Sequence, residues 1–314
     1  MRGCKVIFSN PILVSAEIWP LSDKMEFCVS GFISQNECPM KQIRGSEPPN
    51  KGENQMKTGF EFKRLWQTAF VLALLALFAA PMQAADVSVG LGAGLSPDYE
   101  GSEDYEAVPI PFFNVAWSNH MSINVMGNKA KVNLIPSATW KGGLIGEYIG
   151  ERDDVDSDAV DDLKDVDTSI MLGAFFGFEY NNWSASIEAM QDVADGNDGA
   201  IIRLNGGYRI PISQSFRLGL GAFTTWADDD YMEAYFEIDA ADSARSGLST
   251  YNADSGIKDV GVNISATYQP WQKWGFMGLL GYKRLLDDAE DSPVTDDEGD
   301  ENQFFGGVLV FYKF

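Results

Sequence analysis

Apolar and polar residues alternate through several segments of the chain. From Asp259 to Tyr268 the apolar positions are Val260, Val262, Ile264, Ala266 and Tyr268, with Asp259, Gly261, Asn263, Ser265 and Thr267 between them. Successive side chains of a strand face opposite sides, so this stretch has one apolar and one polar face. The pattern recurs with Ile202, Leu204, Tyr208 and Ile210 against Arg203, Asn205 and Arg209. It recurs again with Phe216, Leu218, Leu220 and Ala222 against Arg217, Gly219 and Gly221. Near the start, Val87, Val89, Leu91 and Leu95 alternate with Ser88, Gly90, Gly92 and Gly94. No segment after Ala85 approaches a continuous apolar span of about 18 residues, so no transmembrane helix is predicted there.

A soluble sandwich also alternates, and the make-up of the polar face separates the two cases. Here it holds glycines, small hydroxyls and charges of both signs, as the interior of a barrel whose other face meets lipid. Aromatic residues gather at strand ends: Trp117, Tyr180, Trp183, Trp226, Tyr268, Trp271, Trp274, Tyr282 and Tyr312. Their amphipathic rings suit membrane interfaces. Turn signals divide the region into about twelve strands: 86–95, 105–117, 120–126, 129–135, 137–149, 167–181, 183–191, 199–210, 214–226, 256–268, 273–284 and 302–314. The third and fourth are short, and ten strands is the smaller count. The predicted fold class is all-β, a transmembrane antiparallel up-and-down β-barrel.

The connections alternate in kind. Short ones fall at Ser118-Asn119, Pro136, Asn181-Asn182, 211–213 and 269–272, and long ones at 96–104, 151–167, 192–198, 227–255 and 285–301, with a tight turn at Gly127-Asn128. Barrels of this kind have short periplasmic turns and longer extracellular loops. The long loops carry 33 of the 39 Asp and Glu residues of 85–314, so the outer end is predicted to be acidic. Against 14 Lys and Arg, this region has a net charge of −25. Such acidity argues against nucleic acid as a partner, which needs a basic footprint.

Residues Ala69 to Ala80 form an unbroken apolar run preceded by Lys57, Lys63 and Arg64 and followed by Met82-Gln83-Ala84-Ala85. This is the pattern of a secretory signal peptide, with cleavage expected after Ala84. The expected organisation is therefore an upstream extension at 1–55 with the true start at Met56, a signal peptide at 56–84, and an exported barrel at 85–314. All three cysteines (Cys4, Cys28 and Cys38) lie in the upstream part. The exported part then has no disulfide or cysteine metal site.

Candidate chemistry is sparse. His120 is the one histidine, placed by the pattern at a short periplasmic turn, where it reads as a solvated turn residue rather than a general base. Asp154, Asp156 and Asp158 open like a calcium loop, but Ala159 and Asp165 replace the Gly and Glu that an EF-hand needs. Loose divalent binding, shared with lipopolysaccharide phosphates, is the alternative to a solvated acidic loop. The lumen face is expected to carry Lys131, Lys141, Glu147, Glu179, Glu188, Arg203, Arg209, Arg217 and Asp259. Five bases and four acids can neutralise one another as an ion-pair network filling a small barrel. The other reading is a constricted pore biased toward anions by its arginines.

Several motifs point further. Pro97-x-Tyr99-x-Gly101-Ser102-x-x-Tyr105 is followed by Pro109-Ile110-Pro111, and later come Tyr235-Phe236 and Ser246-Gly247-Leu248-x-x-Tyr251-x-Ala253. Near the end stand Tyr282-x-Arg284-Leu285, Asp288-Ala289-x-x-Ser292-Pro293-Val294 and Tyr312-x-Phe314. With these residues the chain resembles the MipA/OmpV family over essentially all of 86–314. The resemblance implies an outer-membrane scaffold for peptidoglycan remodelling, with a murein lytic transglycosylase and a peptidoglycan synthase as partners. With no catalytic constellation in the sequence, a non-enzymatic role and no cofactor are expected. The alternatives are a narrow porin-like channel or an adhesin acting through loop 227–255. Tyr312 and Phe314 on the last strand are the expected signal for the barrel-assembly machinery, a reading that rests on general resemblance to outer-membrane proteins.

Overall fold

The alternating segments form twelve strands in a computed structural model that describes residues 85–314. The upstream extension and the signal peptide expected from sequence lie outside the described residues. The strands are β1 (Ala85–Pro97), β2 (Tyr105–Trp117), β3 (Ser122–Met126), β4 (Lys129–Asn133), β5 (Trp140–Ile149) and β6 (Ser169–Tyr180). They continue as β7 (Trp183–Asp192), β8 (Ala200–Pro211), β9 (Phe216–Ala227), β10 (Gly256–Tyr268), β11 (Trp274–Leu285) and β12 (Asn302–Lys313). Each pairs with its sequence neighbours, and β12 returns to β1 to close an antiparallel barrel. The expected count of twelve holds, including the two short strands. β4 stops two residues early because Asn133 turns the chain. Its side chain donates to the His120 and Ile135 carbonyls and accepts from the Gly142 N–H. β5 starts three residues late because the Ser137 hydroxyl accepts from the Thr139 and Trp140 amides.

The β3–β4 hairpin leaves one stretch of wall open. β1 pairs with β2 from Tyr105 to Trp117, but β3 reaches only Phe112 to Ala116. Among the described residues, the outer half of β2 is thus an edge. The Gly127 amide, at the hairpin tip, donates to the Pro111 carbonyl at 3.0 Å. In an antiparallel strand the N–H and C=O of one residue point to the same neighbour. The nitrogens of Pro111 and Pro109 therefore face the open side, where proline has no donor to leave unpaired. Proline on an exposed edge also blocks the addition of a further strand.

Glycine and phenylalanine share the inner wall. Gly281 stands opposite Phe305, Gly261 opposite Phe223, and Gly275 opposite Phe311. In each pair a Cβ on the glycine would run into the ring of its partner. The rings therefore lie over bare backbone and fill the lumen. Phe311 also meets Phe112 at a ring distance of 5.8 Å, and together with Leu309 they form a buried cluster. This explains why β12 is apolar on both faces: Phe305, Leu309 and Phe311 pack inward, while Phe304, Val308 and Val310 are exposed on the lipid side. Outward-facing rings pair near the periplasmic end, as in Trp183–Tyr208, Phe216–Tyr268 and Trp274–Tyr312.

The acidic loops fold over the outer mouth instead of extending from it. They carry α1 (Asp158–Asp161), α2 (Asp229–Phe236), α3 (Ala240–Ser246), α4 (Asp288–Asp291) and α5 (Pro293–Asp296). The Asp228 and Asp239 carboxylates cap the starts of α2 and α3. Tyr231, Met232, Tyr235 and Phe236 are all buried on α2, packed with Ile145, Met171, Met190, Ile201 and Leu285 of the wall. A second layer joins Tyr99, Val160, Leu163, Ile238, Leu248 and Val294 from four different loops. Loop 227–255, read from sequence as a possible binding loop, is therefore the centre of a lid and its aromatic residues are occupied. Arg152 locks that lid: its guanidinium donates to the Tyr235 carbonyl at 2.8 Å and the Lys164 carbonyl at 3.1 Å. Burial holds the Arg152 pKa below its ordinary value.

Candidate functional site

All nine charges assigned to the lumen from sequence fall on the inner face, but they separate into two levels. Lys131, Glu147, Glu188, Arg203 and Asp259 lie in the outer half. Arg203 faces Glu188 across β7 and β8, and Lys129 faces Glu147 across β4 and β5. Lys131 reaches Glu188 at 2.5 Å and Arg203 reaches Glu147 at 2.8 Å. Lys129, which sequence reasoning missed because it borders the tight turn, lies 3.2 Å from Glu147. One oxygen of Glu188 makes no hydrogen bond; it is held between Lys129 at 3.6 Å and Arg203 at 3.5 Å. Three cations thus clamp two carboxylates across the barrel interior.

A second group adjoins this one through the in-register row Arg203–Thr225–Asp259. The β9–β10 register slips between Ile257 and Asp259. This bulge turns both Lys258 and Asp259 inward, each 3% exposed, and joins them at 2.6 Å. Strict alternation continued back from Val260 would put Lys258 on the lipid face; the bulge reverses this, and a lysine between Ile257 and Val260 is its sequence signal. Glu100, from the loop after β1, descends onto this pair. It binds Lys258 and Lys283 at 2.7 Å each and accepts from the Tyr231 hydroxyl at 2.9 Å. Burial would raise the Glu100 pKa, but the two lysines outweigh it and hold the carboxyl well below its usual range. Burial, then the adjacent Glu100 charge, pushes the Tyr231 phenol far above its ordinary value. Glu100 is therefore an anionic pin between lid and wall.

Lys141, Glu179, Arg209 and Arg217 lie at the periplasmic end, away from this network. Lys141 donates to the Ser137 carbonyl at 2.9 Å. Arg209 and Arg217 are exposed, and among the described residues neither has a carboxylate within ion-pairing distance. The neutralised set expected from sequence is thus realised only in the outer half.

Of the acidic trio Asp154, Asp156 and Asp158, the structure brings together only the first, with Asp153 and Asp161, and all three of these carboxylates are exposed. Asp158 instead begins α1, behind the Ser157 cap. Asp161 already accepts from the Val155 amide at 3.2 Å. His120 is exposed in the turn after β2, with φ at 71°. At the barrel seam, the Phe314 amide donates to the Val87 carbonyl at 3.0 Å, and its ring meets Tyr312 edge-on at 5.0 Å.

A closed twelve-stranded barrel with an apolar outer surface, paired interfacial aromatics and a lidded mouth is an outer-membrane β-barrel. The family model described as "MltA-interacting protein MipA" matches residues 89–314, and the chain belongs to that family. It is 26% identical over 234 residues to "Putative outer membrane protein YiaT" of Escherichia coli (strain K12), covering 72% of this chain and 92% of that one. It is 25% identical over 232 residues to "MltA-interacting protein" of the same strain, covering 72% of this chain and 91% of the relative.

Proposed function

We propose that this barrel is a non-enzymatic scaffold that holds periplasmic peptidoglycan-remodelling enzymes at the outer membrane. The observation that carries the reading is the lid: Glu100 and Arg152 fasten three loops over the outer mouth. Beneath it, phenylalanine rings and ion pairs fill the interior. A barrel built this way spends its lumen on rigidity, which suits an anchor better than a conduit. The name of one relative, "MltA-interacting protein", supports a lytic transglycosylase as partner, reached through the periplasmic turns. A peptidoglycan synthase is the second partner in this reading. Gentle crosslinking in cells followed by detergent extraction tests it. The transglycosylase is expected to co-purify, and its absence overturns the scaffold reading. The rival channel reading requires the lid to open. Planar-bilayer conductance above the lipid blank would favour it, and none is expected. Tyr312 and Phe314 act in this account as the signal to the barrel-assembly machinery, so deleting Phe314 should lower the amount of folded barrel in the membrane.

A further inference from the structure

We propose that the periplasmic mouth of the barrel docks an acidic segment of a periplasmic protein; this inference rests on the scaffold reading and names the chemistry of its partner. Only two of the 39 acids of 85–314, Asp86 and Glu179, belong to the periplasmic end, against Lys141, Arg209, Arg217, Lys273 and Lys313. Asp86 is already engaged by Lys313 at 3.2 Å. Lys273 rests against Tyr312, donating to its hydroxyl at 3.0 Å. One carboxylate, Glu179, remains for the three inward-facing cations Lys141, Arg209 and Arg217. A chain so rich in acids has no shortage of counter-charges, so their absence here is a matter of placement.

The arginines are the sharpest part of this surface. Arg209 stands opposite Gly219, and Arg217 opposite Pro211. They are therefore diagonal neighbours on one face, with backbones about 7–8 Å apart. Like charges so placed repel unless an anion lies between them. Higher in the lumen Lys129, Lys131, Arg203, Lys258 and Lys283 all have carboxylates. The space beside the arginines is lined by Gly207, Gly219, Ser184 and Ser265, so bulky side chains do not fill it. Because both arginines point inward, lipid headgroups around the outer rim do not meet them. An occupant must enter from the periplasm, and cations spread over β5, β8 and β9 suit a segment bearing several carboxylates better than a single small ion.

The test uses the full barrel in phosphatidylcholine nanodiscs and a fluorescent deca-glutamate peptide, read by anisotropy. Binding is expected to weaken with salt and to fall at least tenfold in R209E/R217E. R209Q/R217Q serves as a second variant, and heat-modifiable gel mobility verifies folding of both. Absence of peptide binding, or equal binding by the folded variants, overturns the proposal. So does loss of arginine-dependent binding when phosphatidylglycerol is added, since lipid would then be the occupant. The two readings fail differently. If the transglycosylase crosslinks to wild type and R209E/R217E alike, the scaffold stands and this docking site falls. If the peptide binds through the arginines while no transglycosylase is captured, the docking site stands and the scaffold falls.

Discussion

Arg203 faces Glu188 across adjacent strands, yet its 2.8 Å bond passes over to Glu147 on β5. β6 and β7 separate β5 from β8, so this bond is a chord across the barrel interior. Arg203→Ala leaves two buried carboxylates with fewer cations and should cost about 3–5 kcal/mol. Adding Glu147→Ala should cost less than the sum of the single changes, with a coupling of about 1–3 kcal/mol. Urea unfolding in detergent micelles, followed by tryptophan fluorescence, measures both.

Glu100 joins the lid to the wall, and its removal should loosen the lid before the barrel. Glu100→Gln is expected to raise hydrogen exchange across residues 228–255 while β6 and β7 stay protected. The wild-type lid should respond to pH in the same place. The folded carboxyl has a lowered pKa, so its contribution is complete above the ordinary carboxylate range. It is lost as pH falls through the depressed folded value. Lid protection should therefore hold at neutral and mildly acidic pH and fail only in strong acid, and E100Q should show none of that dependence.

Gly281 has no room for a side chain, because the Phe305 ring lies against its backbone. Gly281→Val should force that ring out of the lumen at a cost of about 1–3 kcal/mol. The double variant with Phe305→Ala should recover part of it. The fraction of protein with folded gel mobility after refolding from urea reads the effect.

Pro109 and Pro111 guard the open edge of β2. Replacing both with valine restores two outward donors on an unpaired edge, and unprotected edges invite strand addition between molecules. The P109V/P111V barrel should form dimers and larger species in detergent where wild type does not, as measured by light scattering after size exclusion.

The barrel was legible because membrane strands must alternate in order to face two solvents at once, and the inner positions of Glu147, Glu188 and Arg203 followed from parity alone. Parity failed at Lys258, where one bulged residue reverses the face and a charge on the apparent lipid side was the only warning. Glu100 was not legible at all, since period-two reasoning assigns loop residues no direction. The lid was partly legible. Tyr231, Met232, Tyr235 and Phe236 follow helical spacing within loop 227–255, but the dense acids around them dominate the composition and suggest a solvated loop. The ion-pair set misled in its lower half because counting charges on a face ignores their height along the barrel.

The second layer of the lid draws Tyr99 from the first hairpin and Val294 from the last. Nearly the whole barrel lies between them in sequence, so that contact has little chance of forming early; loop closure over such separations is slow. It becomes local only once β12 has zipped onto β1. The lid is thus the last event in folding, and its compactness certifies that the seam has closed. Barrels stalled with an open seam should expose these acidic loops to protease and so identify themselves as unfinished.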